Sequence, residues 1–182
     1  PYSESEAGAH PLLWPLGIKS INYRWDSANG KTAYHQLAAN PVSWGVGLLG
    51  ILGVFALLVA RLLRESFPHP SLQNRIFPAL FVMWLGYMIA ACTMGRVLYL
   101  YHYFIPLTLS WLIFASLAVY LWEAAPATEA RRKITALLTA LLVILQLTSF
   151  SLYAPLAYHW PITPEQMKAR SLTVLWGIKV IE

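Results

Sequence analysis

Four stretches of 19 or 20 residues without a formal charge determine what this chain can fold into. They are residues 42–60, 76–94, 104–122 and 134–153. At about 1.5 Å of rise per residue, each is long enough to cross roughly 30 Å of hydrocarbon as an α-helix. Buried helices of a large soluble bundle are the alternative, but four such stretches leave too little polar sequence to cover them. We therefore predict an all-α integral membrane protein with four spans.

The distribution of basic residues predicts the orientation of these spans. The first connection carries Arg61, Arg64 and Arg75, and the third carries the basic residues 131–133, whereas the second carries only Arg96. Cytoplasmic connections are enriched in Lys and Arg, so the first and third connections are predicted to face the cytoplasm. Both ends of the chain and the second connection then share the outer or lumenal side.

The net charge of +5 also raises the question of nucleic-acid binding. The basic residues lie mainly in short connections, whereas a nucleic-acid surface concentrates them in one patch or stripe. The chain is 58% hydrophobic and only 12% charged, which is too apolar for an ordinary soluble domain. We predict a multi-pass protein in contact with membrane lipid and no nucleic-acid partner.

The whole chain, 1–182, is predicted to form one four-helix membrane domain. Residues 1–41 contain proline, glycine and scattered aromatic residues without a long periodic run, and we interpret them as an extended segment across the outer surface. Asn40 can cap the first span. That span also carries small residues that allow another helix to approach closely. These are Gly45, Gly47, Gly50 and Gly53.

The outer tail, residues 154–182, is predicted to contain a further helix. Thr163 followed by Pro164, with Gln166 three residues after the cap, is typical of a capping box. Apolar residues then recur near helical spacing, with two lysines available to face water. They are Met167, Val174, Leu175, Ile178 and Ile181, with Lys168 and Lys179. The segment is too polar for a fifth span, so we expect an interfacial helix or one docked on the outer side of the protein.

The sequence contains no recognisable active site of its own. Asp26 is the only aspartate, and Glu165 is better interpreted as a charge at a helix N-terminus than as a general base. The histidines lack metal-ligand spacing, and the single cysteine, Cys92, has no partner. We predict no metal site and no cofactor, and we identify no catalytic residue.

The motif GRVLYLYHYFIP, residues 95–106, combines charge and aromatic rings between two apolar spans. If its first part is helical, Arg96, Tyr99 and Tyr103 share one face and His102 lies beside them. Arginine offers planar donors that match phosphate oxygens, while tyrosine and histidine add donors and stacking surface. The cluster could hold a lipid phosphate or its sugar, and the alternative is an aromatic belt with a snorkelling arginine.

Four separated motifs together carry a family resemblance. HPLLWPLGIKSINY near the start, NPVSW at the first span, GRVLYLYHYFIP, and YAPLAYHWPITPEQMKARSLTVLW in the tail occur in this order. Their order and spacing resemble the carboxy-terminal four-helix membrane domain of protein O-mannosyltransferases along nearly the whole chain.

The resemblance implies a glycosyltransferase of the GT-C type. Such an enzyme moves mannose with inversion from a polyprenyl or dolichyl phosphate to Ser/Thr hydroxyls of a protein acceptor on the outer or lumenal face. Its base is expected in sequence that precedes this chain, which begins at Pro1, so the chain would be an inactive fragment that works with the rest of the polypeptide. Arg96, Tyr99, His102 and Tyr103 would line the carrier site.

Two alternatives to this function stay open at the level of the sequence. One is a related GT-C enzyme with another lipid-linked sugar or a lipid acceptor, and the other is a noncatalytic transport or assembly module. For location, we favour a bacterial plasma membrane over the endoplasmic reticulum membrane, with both termini of the chain on the outer or lumenal side.

Overall fold

Four long helices dominate the computed structural model. The structure describes residues 7–64, 73–124, 126–178 and 180. The helices are α1, Pro41–Arg64; α2, Gln73–Thr93; α3, Phe104–Ala124; and α4, Glu129–Ala157. All four are long and apolar enough to cross a membrane. The four predicted spans are therefore confirmed, while the side chains of Arg64 and Arg75 lie outside the described part.

Capping chemistry places the first residues of α1 and α4. The side chain of Asn40 accepts hydrogen bonds from the backbone N–H of Val42 and Ser43, at 3.1 and 3.0 Å. The Thr128 hydroxyl accepts from the N–H of Arg131 at 3.1 Å, so α4 begins before the predicted apolar stretch. These side chains satisfy helix N–H groups that have no partner within the helix.

Glycines bring α1 and α3 into close contact. A Cβ atom at Gly50 would lie 2.8 Å from the backbone nitrogen of Phe114 and from the carbonyl oxygen of Ser110, and Gly47 and Gly53 also face α3. The predicted close approach is confirmed at these three positions. It is wrong for Gly45, where nothing lies within 4 Å, because that position faces an apolar groove between α1, α3 and α4.

Helix α4 is joined to α1 and to the residue before it by hydrogen bonds in its second half. There the Gln146 amide donates to the Ser43 hydroxyl at 2.7 Å, and the Ser149 hydroxyl donates to Asn40 at 3.0 Å. The groove left beside α1 and α3 has a volume of about 740 Å³. Its apolar walls suit contact with lipid tails or with other membrane helices.

Residues 7–41 do not form the extended segment that we predicted for residues 1–41. A 3₁₀ helix, Pro11–Leu16, is followed by strands β1, Ile21–Ala28, and β2, Lys31–Leu37, in an antiparallel hairpin. Asn29 and Gly30 form the turn with φ of 51° and 70°. An Asn-Gly pair between two aromatic-containing runs is a strong hairpin signal, which our search for long periodic runs missed.

The predicted tail helix is shorter than expected and is docked. Helix α5, Pro164–Lys168, has the predicted capping box, with the Thr163 hydroxyl accepting from the N–H of Gln166, and Met167 is fully buried. Beyond α5, the carbonyl oxygens of residues 175 and 176 accept hydrogen bonds from the N–H groups of residues 19 and 20, which docks the tail against the amino-terminal segment. Lys179 and Ile181 lie outside the described residues.

These non-spanning elements form one layer at a single end of the helices, which we call the cap layer. It comprises the Pro11–Leu16 3₁₀ helix, the hairpin, β3 at Pro161–Ile162, α5 and a 3₁₀ turn at Val174–Trp176. Strand β3 pairs with β2, and the N–H of Ala9 donates to the carbonyl of Leu98 in the connection between α2 and α3. We predicted that these segments share one end of the helices, and the packing agrees. That this end faces the outer side stays a prediction.

Candidate functional site

Residues 95–103 do not form the helix on which the predicted common face depends. Residues 95–99 are irregular, a 3₁₀ helix spans Leu100–Tyr103, and α3 begins at Phe104. The backbone N–H of Tyr99 lies 3.2 Å from His102 Nδ1, and the carbonyl of Leu98 accepts from Ala9. These contacts use backbone groups that a helix would need, so the predicted common face is wrong.

Burial separates the predicted site residues. Arg96 is exposed and Tyr99 and His102 are half-buried, whereas Tyr103 is only 1% exposed. The ring of Tyr103 packs against those of Trp14 and Trp44, with centroids 6.3 and 6.1 Å apart. Tyr103 therefore supports the site from the protein interior. In this conformation Tyr103 has almost no exposed surface for the ligand contact that we predicted.

Tyr101 takes the surface position that we had expected for Tyr103. Its ring stacks on His102 at a centroid distance of 4.3 Å and on Tyr99 at 5.6 Å. His102 in turn lies parallel to the indole of Trp14, with centroids 6.1 Å apart and planes 8° from parallel. The result is a short series of stacked rings that leads from the protein surface into the core.

The hairpin reaches this ring series through Tyr23 in β1. Partial burial, and to a lesser degree the nearby Tyr101 phenol, raise the pKa of Tyr23 above its usual value. Tyr23 also contacts His35 of β2 edge to face, with centroids 5.9 Å apart. One wall of the surface around the motif is thus built by the cap layer, a neighbour that sequence spacing alone does not reveal.

Arg96 has no hydrogen bond or ion pair with any residue that the structure describes. Other arginines are engaged: Arg24 pairs with Asp26 at 2.8 Å, and Arg61 lies over the ring of Phe77 at 4.8 Å. An exposed guanidinium without such a bond, three residues before Tyr99, has donors that suit an anionic group such as phosphate.

A small pocket opens beside the ring series. It has a volume of about 80 Å³, and its lining combines three aromatic rings that carry a polar atom with apolar side chains. The lining residues are Trp14, Tyr87, Ala90, Ala91, Met94, Leu98 and His102. The Tyr87 hydroxyl donates to the carbonyl of His102 at 3.0 Å, which anchors the motif to α2. The pocket is therefore bounded by the Pro11–Leu16 3₁₀ helix, by α2 and by the connection between α2 and α3.

Asp26 is placed in a salt-bridge cluster at the other edge of the cap layer. Its carboxylate lies 2.8 Å from Arg24 and 2.9 Å from His159 Nε2. The hydrogen bonds from His159 and Arg24 hold the pKa of Asp26 below its usual value. A carboxylate stabilised in its charged form is a weak general base. Among the described residues no three His, Cys, Asp or Glu side chains form a metal-binding group.

Glu165 lies in the first turn of α5, as predicted for a charge at a helix N-terminus. Backbone N–H donation and the Thr163 hydroxyl lower its pKa. These bonds hold the carboxylate at the start of α5.

In Asp26→Asn, the stability of the contact between the hairpin and the end of α4 should no longer change with pH in the acidic range. A carboxylate with a lowered folded-state pKa stabilises the fold above its unfolded pKa, and this contribution is lost as the pH falls through the folded value. In the unsubstituted protein the loss therefore occurs below the usual value of 3.8. Hydrogen exchange of the β2–β3 amides against pH, corrected for intrinsic rates, measures it. Glu129→Gln is the control, because this carboxylate lies at the opposite end of the helices, in the first turn of α4. An unchanged pH profile in Asp26→Asn would contradict the assignment.

A family model described as the C-terminal four-transmembrane region of protein O-mannosyltransferase matches residues 2–176. The chain belongs to the protein O-mannosyltransferase family. It is similar to dolichyl-phosphate-mannose–protein mannosyltransferase 5 of Candida albicans, with 24% identity over 185 residues that cover 92% of this chain and 24% of the relative. The predicted family is therefore confirmed.

A solved structure shares the fold of this mannosyltransferase region. The S. cerevisiae protein O-mannosyltransferase Pmt1-Pmt2 complex bound to the sugar donor matches with a TM-score of 0.68 and 19% identity, over 96% of this chain and 24% of that chain. The chain spans about a quarter of the length of these relatives. The GT-C type membrane fold and the integral membrane character are confirmed, whereas the roles of Arg96, Tyr99, His102 and Tyr103 stay predictions.

Proposed function

We propose that this chain is the carboxy-terminal membrane part of an enzyme that transfers mannose from a polyprenyl or dolichyl phosphate to Ser/Thr hydroxyls of proteins. Family membership supports the reaction class, and the name of the Candida relative supports a dolichyl-phosphate-mannose donor. The observation that carries a role for this chain is Arg96, which is exposed, has no bond with any residue that the structure describes, and lies three residues before the stacked rings of Tyr99, Tyr101 and His102.

Arg96 would neutralise the carrier phosphate in the bound donor and in the transition state. As the acceptor oxygen attacks the anomeric carbon from the opposite face, the bond from that carbon to the phosphate oxygen breaks. The electron pair goes to the phosphate, whose charge increases. Positioned N–H donors stabilise charge that develops during a reaction, so Arg96 contributes most as the phosphate leaves.

The proton of the acceptor hydroxyl must go to a base, and we place that base outside this chain. Asp26 is held by Arg24 and His159, and Glu165 by its own helix end, so neither carboxylate is available beside Arg96. The chain would supply the carrier side of the site, and the rest of the polypeptide would supply the base and contacts to the acceptor.

The location of the site follows from the predicted topology. In that topology the ring series would lie at the outer end of α2 and α3, where a carrier with its tail in the bilayer would present its phosphate. Aromatic residues with a polar atom are favoured at this depth. The outer face would be periplasmic in a bacterial plasma membrane, which we favour, or lumenal in the endoplasmic reticulum.

Arg96→Ala in the complete protein is expected to raise the KM for the lipid donor and to lower kcat/KM by about tenfold or more. Hydrogen bonds to charged groups contribute about 1.5–3 kcal/mol, and about 1.4 kcal/mol corresponds to a factor of ten. The measurement is transfer of labelled mannose from polyprenyl-phosphate mannose to a Ser/Thr peptide. Arg96→Lys should recover part of the loss, because lysine keeps the charge without the planar donors.

Arg132→Ala is the matched control, because this arginine is also exposed but lies at the opposite end of the helices, near the start of α4. Unchanged donor KM and turnover in Arg96→Ala would show that the assigned role is wrong. Transfer to a lipid acceptor without transfer to the peptide would instead support a related lipid glycosyltransferase, and no transfer to either would support a noncatalytic module.

A further inference from the structure

The groove between α1, α3 and α4 has large apolar side chains that the described part of the chain leaves uncovered. Its volume is about 740 Å³. Leu49, Leu121 and Leu138, one from each helix, line it and have 62%, 55% and 59% of their surface exposed. Contiguous exposed apolar surface of this kind marks contact with lipid or with another protein segment.

The groove is elongated along α4. Its lining on this helix extends from Arg131 to Leu145, which corresponds to about 21 Å at the usual rise per residue. That length covers the larger part of a hydrocarbon core of about 30 Å. The end at Arg131 lies opposite the cap layer, because the cap layer bonds to α4 at Leu152 and Tyr153.

One cation lies at the end of this apolar volume. Arg131 is half-buried, its guanidinium lies over the ring of Trp122 at 4.1 Å, and it donates to the Trp122 carbonyl at 2.8 Å. Both contacts are with the last turn of α3, so they hold the charge at the end of the groove. The other side-chain hydroxyls of the lining belong to Thr135 and Thr139.

The charges around Arg131 favour an anion. Lys133 and Glu129 offset each other in an exposed ion pair at 2.9 Å. Glu123 and Arg132 carry one charge of each sign, so Arg131 makes the facing ends of α3 and α4 positive. Arg131 also lies in the first turn of α4, where the helix dipole adds positive partial charge. Basic pockets between membrane helices bind the head groups of anionic lipids.

The volume of the groove favours a lipid chain over a membrane helix. A helix about 10 Å wide would fill roughly 1,600 Å³ over the same length, which is more than twice the volume present. A chain of sixteen methylene groups, each taking about the 30 Å³ that a water molecule has in the liquid, needs roughly 480 Å³. An acyl chain can therefore lie within the groove, whereas a helix can only rest on it.

We propose that the groove binds one acyl chain of an anionic phospholipid and that Arg131 contacts the phosphate of its head group. This phosphate would lie at the end of the helices opposite the ring series, so the site is separate from the carrier site and does not depend on the proposed function. The chain would join α4 to α1 and α3 along the part of α4 that precedes its bonds to Ser43 and Asn40.

Phosphatidylglycerol and diacylglycerol with the same acyl chains test the head-group contact in the complete protein. Native mass spectrometry of detergent-solubilised protein, titrated with each lipid, measures both affinities. The unsubstituted protein should bind phosphatidylglycerol about tenfold or more tightly than diacylglycerol, because a charge-assisted contact with phosphate is made only by the first lipid.

Arg131→Gln should reduce this preference to near that for diacylglycerol, since glutamine can still donate to the Trp122 carbonyl but carries no charge. Arg132→Gln is the matched control, because it removes one positive charge from the same turn of α4 and this residue does not line the groove. It should keep the preference.

Ala118→Trp tests the acyl-chain contact independently of charge. Ala118 is exposed and lines the groove, so an indole there should weaken binding of both lipids about tenfold or more. Ala115→Trp is its control, because Ala115 is an exposed residue of the same helix outside the groove lining. Thermal unfolding without added lipid checks that each variant folds, and Arg131→Gln decides the proposal if Ala118→Trp does not.

Equal affinities for the two lipids, or equal losses in Arg131→Gln and Arg132→Gln, would overturn the assignment of Arg131. Equal binding by Ala118→Trp and Ala115→Trp would show that the acyl chain lies elsewhere. Displacement of phosphatidylglycerol by polyprenyl phosphate would assign the groove to the carrier tail and would also overturn the proposal. The proposed function is tested separately by mannose transfer in Arg96→Ala, which none of these outcomes affects.

Discussion

Gly50→Val is expected to separate α1 from α3 and to lower the stability of the membrane domain by about 3 kcal/mol, the upper end of the usual cost of over-packing. The added Cβ would lie 2.8 Å from the backbone nitrogen of Phe114 and from the carbonyl oxygen of Ser110. Both atoms belong to the backbone of α3, so no side-chain rotation can relieve the clash. The helices must move apart, and packing along their whole interface is lost.

Gly45→Val provides the matched control on the same helix. No atom lies within 4 Å of a Cβ added at Gly45, which faces the groove beside α4. Unfolding of the two variants in mixed detergent micelles, compared with the unsubstituted protein, measures the difference. Equal losses would mean that valine disturbs α1 itself and that the contact with α3 at Gly50 is not the cause.

Arg170→Met should detach the tail from the end of α4 and cost about 3 kcal/mol. Arg170 is only 8% exposed, and its guanidinium donates to the carbonyl of Leu152 at 2.6 Å and to that of Gln166. Burial lowers the pKa of Arg170, but an arginine stays charged at neutral pH. The substitution removes the hydrogen-bond donor of both carbonyl groups. Hydrogen bonds to charged groups contribute about 1.5–3 kcal/mol each.

The same substitution also affects the hydrogen bond from the Tyr153 hydroxyl to the carbonyl of Arg170, which is 2.8 Å long and buried. Hydrogen exchange of α5 and thermal unfolding should therefore change together. Lys168→Met is the control, since Lys168 is an exposed residue of the same short helix. A loss of stability as large in Lys168→Met would show that the effect comes from the charge of the tail and not from the bonds of Arg170.

The spans could be predicted because a membrane helix depends on local properties of the chain. Each needs enough consecutive apolar residues to satisfy its backbone within the helix, and residues 42–60 and 134–153 show this without reference to any neighbour. The caps at Asn40, Thr163 and Gln166 are equally local, and the structure confirms them.

The site was predicted only in part, because the prediction treated the motif as an isolated helix. Burial of Tyr103 depends on Trp14 and Trp44, which are distant in the sequence. Tyr101 reaches the surface because the backbone of Tyr99 and Leu98 bonds to His102 and Ala9 in place of a helical pattern. The hairpin turn at residues 29–30 was visible in the sequence, but its position against the motif was not.

The sequence by itself determined that this protein lies in a membrane, how many spans it has and where helices are capped. Through four ordered motifs it also determined the family. These depend on hydrophobicity and hydrogen bonding over short distances along the chain. The tertiary structure alone decided that Trp14 lines the pocket beside His102, that Tyr103 is buried, and that Tyr101 replaces it at the surface. The physical reason is that burial and the walls of a pocket are properties of a packed neighbourhood, which contacts between distant segments create.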